Sequence, residues 1–357
     1  MAMTQASGAA SPAPPSDRLR TTSLTSRLLA RPSAGALLIT VFVWIVFAIL
    51  STVAGGCVFY SVDGTLSYLD VAAQVGIVGT AVALLMIAGE FDLSIGSLVG
   101  FAGIVIGIGV TIWGLPVWLS ILMAIAATTV LGVLNGIIVV RTGLPSFIVT
   151  LATLFIIRGF SSVLTSVVTN ITYIPIDRTA IANDPIAGFF NWSTPVGNGA
   201  ALKVSILWWL FIAVIGVYIL GRTRFGNWIA GVGGSATAAR NLGVPVARVK
   251  ISLFALTAFS ASVLATIQSM TFFSADILRG TGIELDAITT AVIGGSLLTG
   301  GYGSVAGTAL GALSLGMARQ GIVFADINAD WYKIAIGTLL LVAVVLNNWI
   351  RRRFAGL

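Results

Sequence analysis

Ten apolar stretches, most of them near the length that crosses a bilayer, occupy most of this 357-residue chain. They fall at 36–54, 70–89, 93–112, 117–140, 144–165, 204–221, 251–273, 288–298, 304–318 and 334–350. A helix needs about 20 apolar residues to cover roughly 30 Å of hydrocarbon, and in lipid every backbone amide must find its partner within the protein. The pattern predicts an all-α fold, a polytopic integral membrane bundle of about ten helices. The stretches 288–298 and 304–318 are each too short. They read either as a hairpin of broken helices or as one long interrupted helix.

Charge sorts along the same frame. With alternate connections on alternate faces, one face receives Arg18, Arg20, Arg27, Arg31, Arg141, Arg222, Arg224, Arg240, Arg248, Lys250, Arg351, Arg352 and Arg353, against a single acid, Asp17. The other receives nine of the 12 acids. Retention of Lys and Arg on the cytoplasmic side predicts that both termini lie inside. Residues 1–35, rich in Ala, Ser, Pro and Thr, read as a disordered cytoplasmic tail, 36–350 as the transmembrane domain, and 351–357 as a basic cytoplasmic end. The segment 170–203 is the largest external loop, and 222–250 the main cytoplasmic connection.

Composition removes several function classes. A chain that is 57% hydrophobic and 9% charged is no soluble domain, since those carry about 25% charge. The net charge of +7 is the loop bias rather than a nucleic-acid surface. Without histidine, and with Cys57 as the lone cysteine, the chain lacks the commonest metal ligand and general base and can form neither an internal disulfide nor a thiolate metal site. No metal is expected. The sequence Ala54-Gly55-Gly56-Cys57 loosely matches a lipoprotein cleavage site, but the preceding run is long enough to span the membrane and lacks a short signal's profile.

Two repeats bear on packing. Thr80-Ala81-Val82 and Ser94-Ile95-Gly96-Ser97 recur 210 residues later as Thr290-Ala291-Val292 and Ser304-Val305-Ala306-Gly307. Duplicated halves would do this, and so would coincidence in a chain rich in small residues. Gly96 and Gly100, Gly132 and Gly136, and Gly303, Gly307 and Gly311 share a four-residue spacing that lets helix backbones approach closely.

Three charges escape the sorting: Glu90, Asp92 and Arg158. Charged residues near the bilayer centre cost about 2.5–3.5 kcal/mol each on insertion scales. Glu90 and Asp92 must therefore lie at a surface, in a wet cavity or beside a cation, and Asp92 can also cap the following helix. Arg158, about 14 residues into its stretch, either snorkels outward along its aliphatic stem or bonds a polar group inside the bundle. In the cytoplasmic connection, Ser235 is placed to cap a short helix over 236–242, which Gly243 ends. Such a helix suits docking into another protein; a basic loop against anionic headgroups is the alternative. No G-x-x-x-x-G-K-[ST] occurs, so no nucleotide site is expected.

The chain from about residue 36 resembles the membrane permease subunit of ribose-type sugar ATP-binding-cassette importers. Four blocks in order carry the resemblance: Glu90 to Ser97; Leu144 to Thr153 with Arg158-Gly159; the 226–244 loop; and Gly282 to Ile288 running into Gly294-Gly295-Ser296. Glu90 departs from the pattern, where the family usually has a small residue; Asp92 matches it.

The resemblance implies a multi-pass protein of the bacterial inner membrane. It implies a homodimeric pore that takes a monosaccharide from a periplasmic sugar-binding protein. A separate cytoplasmic ATPase would use the ATP and Mg, this chain binding no cofactor. Candidate pathway residues are Asp92, Ser94, Ser97, Asn135, Thr150, Thr153 and Arg158; the hydroxyl and amide groups suit a neutral sugar, and equally suit bonds between helices. Gly233, Ser235, Ala236, Ala239, Arg240 and Gly243 would couple to the ATPase, and Glu284 and Asp286 would form an external gate or meet the binding protein. The alternatives are a permease for a polyol, nucleoside or branched amino acid, or a secondary transporter. A membrane enzyme using Asp326 and Asp330 is a further alternative, though no second such pair exists.

Overall fold

The computed structural model describes residues 32–196 and 199–350. Most of the tail expected over 1–35, and the basic end at 351–357, lie outside these residues.

Each of the ten apolar stretches holds a helix. In chain order the first five are α1 (Pro32–Val53), α2 (Val62–Ile87), α3 (Ile95–Gly107, continued by a π-helical turn over Ile108–Ile112), α4 (Val117–Thr142) and α5 (Ser146–Thr169). Among the described residues of the next segment, 170–203, no helix is long enough to cross a membrane, as expected. The segment holds β1 (Tyr173–Pro175), the short helices α6 (Arg178–Ala182) and α7 (Gly188–Asn191), and the hairpin of β2 (Ser193–Val196) and β3 (Ala200–Lys203). Then follow α8 (Val204–Arg222), α9 (Arg224–Gly234), α10 (Ala236–Asn241), α11 (Val246–Phe272), β4 (Ser274–Asp276), α12 (Ile283–Ile293), α13 (Val305–Phe324) and α14 (Trp331–Ile350).

Several helices outrun their hydropathy. α1 begins at Pro32, inside the segment expected to be tail, α2 at Val62 rather than 70, and α13 runs to Phe324 rather than 318. Apolar length marks the hydrocarbon portion of a helix, whereas caps set its ends. Ser61 Oγ accepts from Gly64 N at 3.1 Å to start α2, and Ser304 Oγ accepts from Gly307 N at 3.1 Å to start α13.

Seven of the described helices are long and apolar enough to cross a membrane. Burial divides them: 89%, 83% and 72% of the most apolar windows of α2, α3 and α11 are buried, against 28–33% for α1, α4, α5 and α8. The first three form the centre, and the other four present apolar faces outward. Along α4 that face is Trp118, Leu122, Val130, Leu134 and Ile138, at multiples of four residues, the spacing of one helical stripe.

The two ends of the bundle differ in charge. At the basic end, Gly136 near the close of α4 packs on Ile251, and Lys250 at the start of α11 pairs with Glu90 just beyond α2. At the acidic end, β1 and β4 pair antiparallel, Ile174 opposite Ala275, while Lys203 bonds Asp70 at 2.7 Å and Ala200 N donates to Asp63 at 3.1 Å. In the same region the Thr179 hydroxyl, with its amide, holds the Asp177 carboxyl below the usual range.

The short stretch resolves as a broken helix. α12 has 11 residues, about 16 Å at 1.5 Å per residue, so it cannot cross alone. The chain from Ser274 to Gly282, β4 followed by hydrogen-bonded turns over 277–282, supplies the missing length by running beside α3. A Cβ at Gly107 would meet Ala275, one at Gly100 would lie 2.7 Å from the Ile277 carbonyl oxygen, and one at Gly96 would meet the Gly280 carbonyl and the Glu284 carboxylate. The glycine face expected to seat a helix at Gly96 and Gly100 instead seats non-helical backbone. The expected helix–helix role holds at Gly132, against Ala258 and Phe254, and at Gly311, against Thr290. Non-helical backbone at membrane depth is tolerated only when buried in protein or lining an aqueous cavity.

Candidate functional site

The chain between α2 and α3, residues 88–94, is the second break at membrane depth, and its polar groups are taken up from three sides. Phe91 N donates to Ser146 Oγ at 2.9 Å and Leu93 N to Thr150 Oγ1 at 3.1 Å, both on the first turns of α5. Asp92 is wholly buried. Its Oδ1 accepts from Ser94 N at 2.9 Å and Ser94 Oγ at 2.6 Å, and its Oδ2 from Thr257 Oγ1 of α11 at 2.7 Å. Asn135 Nδ2 of α4 donates to Ser94 Oγ at 3.0 Å. A buried carboxylate is tolerated when its lone pairs are filled in this way. Asp92 does not make the expected cap of α3, whose N-cap residue is Ser94 with no side-chain cap bond; it ties Ser94 to α11 directly and, through the Ser94 hydroxyl, to α4.

Of the candidate pathway residues, Asp92, Ser94, Asn135 and Thr150 are brought together here, all buried. Ser97 and Thr153 stand beside the knot, but their hydroxyls donate to carbonyls of their own turns, Ser94 O at 2.7 Å and Thr150 O at 3.1 Å. Sequence reasoning missed Ser146, Thr257 and Lys250 as partners. One signal was present: Lys250 and Thr257 are seven residues apart, hence on one face of α11, opposite two acids.

Arg158 is elsewhere. It stands 12 residues after Ser146 and 11 before Thr169 in α5, near the middle of a helix about 35 Å long. From there its stem cannot reach either end. The side chain is half-exposed, and its buried Nε lacks a hydrogen-bond partner among the described residues. Ser162 and Ser166, one and two turns further along the same face, are half-exposed and exposed. The spacing 158, 162, 166 was legible in the sequence and was overlooked.

At the basic end, the helix expected at 236–242 forms as α10. Ser235 Oγ accepts from Ala238 N at 3.3 Å, and Gly243 takes φ +82°. Arg240 is exposed and Ala236 half-buried, but Ala239 turns inward and is 4% exposed, in one cluster with Val246, Val249 and Phe254. With one face of a six-residue helix committed to its own chain, the outward features are Ala238, Arg240 and Leu242, the last 85% exposed. Gly233 is also engaged internally, against Ile87 and Gly301.

Glu284 and Asp286, sorted by sequence onto the outer loops, sit on the first turn of α12. Glu284 reaches the first turn of α3 at Gly96, where a carboxylate meets the positive end of the helix. Its Oε2 is buried without a hydrogen-bond partner among the described residues. Among those residues no group of three His, Cys, Asp or Glu could hold a metal ion.

Comparison with known proteins agrees with this architecture. A family model described as branched-chain amino acid transport system/permease component matches residues 64–344, from the first turn of α2 into α14. The inner membrane ABC transporter permease protein YjfF of Escherichia coli is 32% identical over 284 residues, 77% of this chain and 80% of its own. The ribose import permease protein RbsC of Escherichia coli is 30% identical over 306 residues, 85% of this chain and 91% of its own. The fructose import permease protein FrcC of Rhizobium meliloti is 30% identical over 325 residues, 91% and 88%. A match spanning both broken segments and nearly every described helix leads to one statement: the chain belongs to the branched-chain amino acid transport system/permease component family.

Proposed function

We propose that this chain is the inner-membrane permease subunit of an ATP-binding-cassette importer for a monosaccharide, and that two copies enclose the pathway along the α5 face bearing Arg158, Ser162 and Ser166. The observation that carries the pathway is Arg158 itself. An arginine midway along a membrane helix, its buried Nε without a hydrogen-bond partner among the described residues, costs about 2.5–3.5 kcal/mol in lipid. Water or a second protein surface removes that cost. The ribose and fructose permeases among the relatives support the sugar reading, and a hydroxyl-lined face suits a neutral, hydroxyl-rich solute. The knot around Asp92 serves a different purpose, holding the 88–94 break rigid beside that path.

The same reading assigns ATP and Mg to a separate ATPase that docks on α10, and solute delivery to a binding protein at the acidic end. It puts both termini on the cytoplasmic side. The test is reconstitution with the ATPase and binding protein. ATP-driven uptake of a sugar that the binding protein retains is the expected result; uptake by this chain alone on an ion gradient would refute it. In a Cys57→Ser background, Ser162→Cys and Ser166→Cys should react with a membrane-impermeant thiol reagent, while Val130→Cys on α4 should not.

A further inference from the structure

Three separate parts of the chain meet backbone to backbone at the basic end, close to α10. Gly301 N, in the loop between α12 and α13, donates to Ile87 O, the last residue of α2, at 2.8 Å. Gly233, near the end of α9, fits against the same carbonyl, where a Cβ would strike Ile87 O and lie 2.5 Å from Gly301 N. A Cβ on Gly300 would lie 2.7 Å from Gly89 Cα, and one on Gly301 2.9 Å from Gly234 Cα. Gly89, Gly300 and Gly301 all have φ between +76° and +84°, where only glycine is unstrained. Gly234 and Gly231 have open space where a Cβ would go.

The position of this junction matters more than its tightness. On one side it continues through Glu90, paired with Lys250, to Asp92 and its knot. On another it continues through the 294–304 loop to α12 and Glu284. On the third it leads directly into α10. Main-chain contact without intervening side chains leaves no rotamer to absorb a displacement.

We propose that Gly233, Gly301 and the Ile87 carbonyl form the positioning junction through which movement of α9 and α10 reaches both broken segments together. The proposal rests on the permease reading above. Gly301 and Gly233 touch neither solute nor ATPase; they act through the segments they join.

The experiment uses the complete complex of permease, ATPase and binding protein in proteoliposomes. ATP hydrolysis and uptake are measured side by side, with assembly read by co-purification of the ATPase. Gly301→Ala should leave the ATPase bound, through an unaltered α10, while solute moved per ATP falls at least tenfold. Gly234→Ala, the neighbour with open space, should leave that ratio unchanged. If Gly301→Ala lowers the yield and thermal stability of the complex with solute per ATP unchanged, the junction is packing alone and the proposal fails.

Hydrogen exchange on the unmodified complex gives a second reading that needs no variant to fold. On nucleotide binding, exchange in 233–242, 87–94 and 294–304 should change together. A change confined to 233–242 would overturn the junction. An unmodified complex without ATP-driven uptake would instead remove the permease reading itself, a failure visible before any variant is made.

Discussion

Replacing Thr257 by valine deletes one hydroxyl at nearly constant shape, and the structure says what that hydroxyl does. It donates at 2.7 Å to Asp92 Oδ2, with the Phe254 carbonyl of its own helix a second acceptor at 2.8 Å, while both bonds from Ser94 go to Oδ1. Thr257→Val therefore leaves a wholly buried carboxylate oxygen without a partner among the described residues. Hydrogen bonds to charged groups are worth about 1.5–3 kcal/mol, whereas those between membrane helices average about 0.6 kcal/mol. The charge and complete burial of Asp92 place this one near about 2 kcal/mol. Thr266→Val is the matched control, because that hydroxyl bonds only Ser262 O of its own helix, at 2.8 Å, and should cost about 0.6 kcal/mol or less. Reversible unfolding of the purified protein in mixed detergent measures both. The double variant with Asp92→Asn should cost about 1 kcal/mol less than the sum of the singles, since residues in one network couple. If Thr257→Val is no worse than Thr266→Val, Asp92 does not depend on α11 and the rigid break loses its support.

Lys250→Met breaks the ion pair with Glu90, whose side chains are 20% and 10% exposed. It should destabilise by about 1–3 kcal/mol after allowance for partial screening, and adding Glu90→Gln should recover part of the loss. Leu242→Asp, on the exposed tip beyond α10, should cut co-purifying ATPase tenfold without altering the melting of the permease. Ala239→Trp, buried within its own chain, should lower folded yield instead; normal yield would show that Ala239 faces outward. Reporters fused after Leu357 and inserted near Asn191 should lie on opposite sides of the membrane.

Much of the architecture was legible in the order of residues, because lipid imposes a simple rule on a chain. Apolar length predicted the helices, and Ser235 with Gly243 predicted α10 through caps that depend only on neighbours a few residues away. Of the three charges left over by the sorting, Glu90 and Asp92 did mark buried polar contacts, whereas Arg158 stands apart from them, half-exposed on α5. The sequence resemblance also pointed to the family that the comparisons bear out.

Tertiary structure decided what those charges face. Asp92 and Thr257 are 165 residues apart, Glu90 and Lys250 160 apart, and no local pattern specifies which helices bring them together. Whether a glycine face receives a helix or a non-helical segment is likewise invisible in its spacing: Gly132 meets α11, while Gly100 meets the turn at Ile277. Hydropathy placed Glu284 in an outer loop because it counts apolar residues along the chain. The fold puts that carboxylate at the first turn of α3 because a half-length helix need not begin at the membrane surface. Ala239 faces inward for the same reason: in a short helix of small residues, the buried side is chosen by what packs beneath it.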